Sequence, residues 1–123
     1  MKLKDILKLI HAQEVVVSDQ MILECDFKYV FATDLMSDAL AMLHNHQTNT
    51  LLLTGLINQQ ALRTAEMLDV NTLIFVRDKV VGESVIKLAK ENEINIFNSK
   101  MTMYEACGIL YKEGLDSSCK DTL

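Results

Sequence analysis

The sequence contains no proline and no tryptophan, and only four of its 123 residues are glycine. Phosphate-binding loops of the GxGxxG and GxxxxGK types need closely spaced glycines, and these scattered residues form neither pattern. The absence excludes the nucleotide-binding enzymes that rely on such loops. Binding of a nucleotide by another geometry stays open.

Long hydrophobic runs and excess basic charge are also missing. The longest apolar runs have four or five residues, whereas a membrane-spanning helix needs about 20. The first five residues alternate apolar and charged side chains, which is not the pattern of a signal peptide. We therefore expect a cytoplasmic protein that does not bind membranes. With 17 acidic and 12 basic residues, the net charge of −5 also disfavours binding to nucleic acid.

Cysteine is scarce and irregularly placed, at Cys25, Cys107 and Cys119. An odd number of cysteines without CxxC spacing favours free thiols over disulfides or a metal site. No Ser–His–Asp or Cys–His pattern can be assembled. The sequence thus predicts no catalytic residue, no metal and no cofactor.

Short apolar runs alternate with segments of helical period, which predicts alternating strands and helices. Helices are expected at 2–11, after Asp34, after Asn58, around Val85 and at 103–113, and strands at 14–17, 28–33, 50–54, 72–76 and 95–97. The Asn-Thr-Leu start of one strand at residue 49 recurs at residue 71. Both of these strands are apolar on each face, as in a sheet covered on both sides. We predict a single α/β domain over 1–115, a three-layer α/β/α fold with a mostly parallel central sheet, and a flexible tail at 116–123.

In open α/β sheets, ligands bind at the carboxyl ends of the strands. Gly55 would allow close backbone approach there, and two of the candidates lie at helix N-termini, where unpaired N–H groups attract anions. The candidate ligand-binding residues are Asp34, Ser37, Asp38, Thr54, Gly55, Asn58, Arg77, Lys79 and Thr102. The alternative is that these are the ordinary polar turns and helix caps of any α/β protein.

Two of these candidates, Asp34 and Asp38, are four residues apart and would share one helix face. A carboxylate pair at this spacing could bind Mg²⁺. Acidic residues at a helix start also simply complement the helix dipole. We favour the second interpretation.

Four segments in order resemble small stand-alone DRTGG-domain proteins: DLMSDALA at 34–41, LTGLINQQ at 53–60, RTAEM at 63–67 and ACGILY at 106–111. That family is similar to the N-terminal, non-kinase domain of HPr kinase/phosphorylase and to regulatory inserts of CBS-domain pyrophosphatases. The resemblance covers about residues 2–115 and implies a dimeric α/β/α domain with a regulatory or ligand-sensing role. The Asp-Arg-Thr-Gly-Gly string itself is absent, and Leu-Thr-Gly-Leu-Ile at 53–57 is nearest to it. Without a P-loop, phosphotransfer to HPr is not expected.

Our leading hypothesis is a non-catalytic regulatory or protein-interaction module, acting as a homodimer and with a protein partner that the sequence does not name. Helix faces rich in Leu, Ile, Met and aromatic residues would form its interface, burying at least about 1,200 Å². The alternative is a sensor of a small ligand, such as a nucleotide, at the carboxyl edge of the sheet. We also expect Gly55→Val to strain the backbone if Gly55 has a positive φ.

Overall fold

A computed structural model describes residues 1–42 and 49–117. This part of the chain forms five α-helices, six strands and one 3₁₀ turn at Gln20–Glu24. The helices are α1 Leu3–Leu9, α2 Met36–Met42, α3 Gln59–Met67, α4 Glu83–Glu91 and α5 Met103–Lys112, and the strands are β1 Ala12–Val16, β2 Tyr29–Ala32, β3 Thr50–Thr54, β4 Thr72–Phe75, β5 Asn95–Ser99 and β6 Asp116–Ser117. The longest of these helices has ten residues, and none in the described ranges could cross a bilayer.

The six strands form one sheet in the order β1-β5-β4-β3-β2-β6. Every neighbouring pair from β5 to β6 in this order is parallel, which confirms the mostly parallel sheet. The two strands that are apolar on each face, β3 and β4, lie inside it. The one departure is β1, which pairs antiparallel with β5. These two strands are not consecutive, so no single crossover helix forces them to be parallel.

The core lies on both faces of the sheet, which confirms the three-layer fold. Leu52, Leu73 and Phe75 belong to the cluster under α2, α3 and α4. Leu51 and Leu53, on the opposite side of the pleat, pack under α1 and α5. Since successive strand residues point to opposite faces, the middle of a strand that packs against helices on both sides is apolar at every position. This explains the unbroken Leu51–Leu53 run.

Three helices end in the same way, with a left-handed residue after the last turn. The N–H of the next residue then bonds to the carbonyl five positions back, as in a Schellman motif. The left-handed residues are Asp69 (φ 59°), Glu93 (φ 54°) and Gly114 (φ 103°), and the bonds are Val70 N to Ala65 O at 2.9 Å, Ile94 N to Ala89 O at 2.9 Å and Leu115 N to Leu110 O at 3.1 Å. Only the glycine adopts this conformation without strain.

The end of the described chain differs from the predicted flexible tail. Asp116 and Ser117 pair with Tyr29 and Val30 of β2, so the tail does not include these two residues. Residues 118–123, the rest of the predicted tail, lie outside the described residues.

Candidate functional site

The parallel strands β2, β3 and β4 end side by side, and each end has a polar residue nearby: Asp34 two residues after β2, Thr54 as the last residue of β3, and Arg77 two residues after β4. The carboxylate of Asp34 lies at the centre of this edge. Its Oδ1 accepts hydrogen bonds from the Gly55 N–H at 2.6 Å and the Thr54 hydroxyl at 3.4 Å. Its Oδ2 accepts one from Arg77 Nη2 at 3.1 Å. Three donors from two different loops therefore converge on one anionic group.

Gly55 is buried against the side chain of Arg77. A Cβ atom at position 55 would lie 2.6 Å from Arg77 Cζ and 2.7 Å from its Nε. Among the described glycines, a positive φ occurs at Gly114 and not at Gly55. The condition for backbone strain in Gly55→Val is therefore not met. The glycine matters because it leaves room for the guanidinium.

The loop after β4 carries two cationic residues, Arg77 and Lys79, and positions their side chains at this edge. Arg77 and Asp78 adopt left-handed backbone conformations, with φ of 73° and 51°, which are uncommon for residues other than glycine. Their N–H groups bond to the carbonyls of Met101 at 2.7 Å and Ser99 at 3.0 Å. The chain then turns back, so that Lys79 Nζ donates to the Gly55 carbonyl at 2.8 Å.

Asn98, near the end of β5, was not among the predicted site residues. Its Nδ2 donates to the Lys79 carbonyl at 2.8 Å, which fixes the far side of the same loop. Its buried Oδ1 has no hydrogen-bond partner among the described residues. The sequence signal that could have identified Asn98 is its position as a polar residue directly after the apolar strand residues Ile96 and Phe97.

The structure brings together five of the nine predicted site residues: Asp34, Thr54, Gly55, Arg77 and Lys79. Two others are helix caps. Asn58 accepts from the Ala61 N–H at 3.1 Å, and Thr102 forms the predicted capping box with Glu105.

The remaining two predicted residues, Ser37 and Asp38, are exposed on α2. Within residues 1–42 and 49–117, no side-chain hydrogen bond or ion pair links them to Asp34 or Arg77. No group of three His, Cys, Asp or Glu side chains in these ranges could hold a metal ion.

The structure also has cavities that none of the five residues at the polar edge lines. One of about 350 Å³ lies between α5 and the β2–β6 edge, with a mainly apolar lining that includes Val30, Cys107 and Leu110. Burial raises the pKa of the Cys107 thiol, so this cysteine is a poor nucleophile at neutral pH. At the polar edge itself, the space above Gly55 is filled by Arg77.

The outer face of α5 is the second notable surface. Tyr104 and Tyr111 are 88% and 75% exposed on this helix. Gly108 lies between them on the same face, and a Cβ atom there would contact nothing within 4 Å. Met36, at the start of α2, is buried in the core, whereas Met67, at the end of α3, is 73% exposed. Exposed apolar surface is therefore present on α3 as well as on α5.

The architecture is a three-layer α/β/α domain, the fold that the sequence resemblance implies. No family model and no curated protein matches the chain. A similar solved structure is that of the CBS and DRTGG domains of the regulatory region of Clostridium perfringens pyrophosphatase, complexed with its activator diadenosine tetraphosphate. It matches with a TM-score of 0.67 at 16% identity, over 89% of this chain and 45% of that one. This chain spans less than half of that protein's length, and the likeness shows the fold.

Proposed function

We propose that this protein is a non-catalytic regulatory domain that senses a small anionic ligand of the nucleotide class at the carboxyl edge of its sheet. The observation that carries the proposal is the convergence of the Gly55 N–H and the Arg77 guanidinium on one carboxylate. Backbone N–H groups and guanidinium groups are the donors with which proteins bind phosphates. The nucleotide activator of the structurally similar pyrophosphatase region supports the ligand class.

The hydroxyl groups near this edge support a binding role rather than a catalytic one. Thr54 is fully buried, and its Oγ1 donates to Asp34 and accepts from the Leu56 N–H at 3.1 Å. The Thr102 hydroxyl is engaged in the cap of α5. Both hydroxyls thus hold local structure: Thr54 is inaccessible to a substrate, and the Thr102 hydroxyl both donates and accepts within the capping box.

Thermal unfolding with inorganic phosphate, ADP, ATP and diadenosine tetraphosphate tests the proposal. A ligand at 100 times its Kd stabilises by about 2.7 kcal/mol, which raises Tm by about 10 °C for a domain of this size. We expect Arg77→Gln to abolish the shift. Arg63→Gln is the matched control, because Arg63 is an exposed arginine of α3 that bonds only to Gln59 among the described residues. No shift in wild-type protein, or equal shifts in both variants, would refute the proposal.

A second candidate function is a homodimeric interaction module, and the face of α5 favours it. Two antiparallel copies of α5 crossing at Gly108 could approach closely, since the glycine has no side chain. The same crossing would bring Tyr104 of one copy to Lys112 of the other, and Glu105 to Tyr111. A lysine over a tyrosine ring is a favourable cation–π contact. One face would therefore complement itself, as a two-fold dimer requires.

Sedimentation velocity at micromolar concentration tests this second candidate. We expect a species of twice 13.9 kDa that Gly108→Arg converts to monomer. Val80→Arg is the control, since Val80 is 92% exposed and lies outside α5. A wild-type species at monomer mass would contradict the dimer. The cytoplasmic location, the protein partner and the likeness to the HPr kinase/phosphorylase domain stay predictions from the sequence.

A further inference from the structure

We propose that the anion position at this edge is occupied by the protein's own Asp34, and that a phosphate group of the ligand binds by replacing this side chain. The inference rests on the proposed function and adds its regulation. Asp34 presents the same chemistry as a ligand anion, because a carboxylate and a phosphate both offer oxygen acceptors to N–H donors. The 2.6 Å bond from the Gly55 N–H to Oδ1 shows how closely the carboxylate fits.

The side chain of Asp34 can leave without breaking the local fold. It is 47% exposed, and its ion-pair partner Arg77 is 43% exposed, so solvent reaches both groups. The turn into α2 is held by another residue, since the Leu35 N–H bonds to the Thr33 hydroxyl at 3.0 Å. An exposed ion pair of this kind contributes little to stability. Displacement of Asp34 therefore exposes the donors at small structural cost.

Charge favours the exchange. Two cations lie at this edge: Arg77 forms the ion pair with Asp34, and Lys79 donates to the neighbouring Gly55 carbonyl. A terminal phosphate group carries between about −1.5 and −2 charge at neutral pH, against −1 for a carboxylate. Such a group thus attracts Arg77 and Lys79 more strongly than the Asp34 carboxylate does.

The exchange also gives the ligand a mechanical effect. Asp34 lies between β2 and α2, and α2 packs against α3. When the carboxylate leaves Gly55 and Arg77, the segment before α2 loses its link to the loops after β3 and β4. Ligand binding is thereby coupled to the position of α2, which provides the output that a regulatory domain needs.

The test compares the affinity of inorganic phosphate for wild-type protein, Asp34→Ala and Asp38→Ala, followed by the ¹⁵N–¹H resonance of Gly55. Asp38→Ala is the matched control, because it removes the same charge from an exposed carboxylate that does not contact Arg77. We expect Asp34→Ala to bind phosphate about tenfold more tightly than the other two, the effect of removing a competing ionic group. Equal affinities of all three proteins would overturn the inference and leave the proposed function intact. Absence of binding to all three, with ATP and diadenosine tetraphosphate also failing to bind, would overturn both.

Wild-type protein offers the same test without substitution, should Asp34→Ala fail to fold. Saturating phosphate is expected to shift the carboxyl ¹³C resonance of Asp34 together with the Gly55 amide. A Gly55 amide that moves while the Asp34 carboxyl resonance stays fixed would overturn the inference.

Discussion

Replacement of Gly55 by alanine is the sharpest probe of this edge, because burial and geometry make opposite predictions for it. Burial alone would make the substitution severe, since Gly55 is buried. The geometry instead predicts a small loss of stability. The atoms that a new Cβ would meet all belong to the guanidinium end of Arg77, and its backbone is outside the left-handed region. Only a flexible, half-exposed side chain has to move.

The expected magnitude follows from that movement. Arg77 Cζ must retreat by about 1 Å to reach ordinary contact with the new Cβ, 2.6 Å from its present position. This breaks its 3.1 Å ion pair with Asp34, a loss of about 0–1 kcal/mol for an exposed pair. Alanine also restricts the unfolded chain, which returns roughly 0.4–1 kcal/mol. We therefore expect the free energy of unfolding to change by less than about 1 kcal/mol.

Urea denaturation of Gly55→Ala measures this change, with Gly114→Ala as the comparison. Gly114 is exposed and in open space, but its φ of 103° is unfavourable for alanine, and we expect a loss of roughly 1–2 kcal/mol. The exposed glycine should thus be the more costly one to replace. A loss above about 2 kcal/mol for Gly55→Ala, with Gly114→Ala neutral, would refute the reasoning.

Three further outcomes follow from the contacts described. Glu93→Gly should stabilise the protein by about 1 kcal/mol in urea denaturation, because it relieves a left-handed residue at a helix end; a destabilised variant would contradict this. Hydrogen bonds from Thr102 hold the pKa of Glu105 below its ordinary 4.5, so the charged form stabilises the fold above that pH and this stability is lost as the pH falls through the lowered pKa. Glu105→Gln should therefore be less stable than wild type at pH 7, and the difference should shrink as the pH falls below 4.5; a difference that does not depend on pH would count against the cap. In peptide mapping after limited iodoacetamide treatment, Cys107 should be alkylated more slowly than the exposed Cys25, because burial raises the pKa of its thiol; equal rates would disprove its protection.

The interior of the fold could be predicted from the sequence because its apolar runs are stable in few other structural arrangements. A run such as Leu51–Leu53, apolar on both faces, is stable only in a sheet with helices on both sides. The parallel order then brings the carboxyl ends of β2, β3 and β4 together. This is why Asp34, Gly55 and Arg77 could be predicted as neighbours.

The details of the edge could not be predicted, because they depend on backbone conformations that the sequence does not favour. The left-handed turn at Arg77 and Asp78 uses two residues that rarely adopt it. It is held by carbonyls of Ser99 and Met101, which are distant in sequence. The role of Gly55 depends on this turn, since the turn brings Arg77 over it. The direction of β1 was likewise open, because its partner is not its neighbour along the chain.

The pairing of β1 with β5 has a consequence for the order in which the protein can form during synthesis. The Ser18 N–H bonds to Asn95 Oδ1 across 77 residues, and the Ser99 hydroxyl bonds to the Ile10 carbonyl across 89. Strand β1 thus leaves the ribosome well before its partner β5. Until residue 99 is synthesised, β1 lacks part of its partner, while β2, β3 and β4 can already pair with one another. The segment that contains β1 therefore joins the sheet late. In a nascent chain that ends before residue 99, some backbone N–H and C=O groups of β1 stay unpaired.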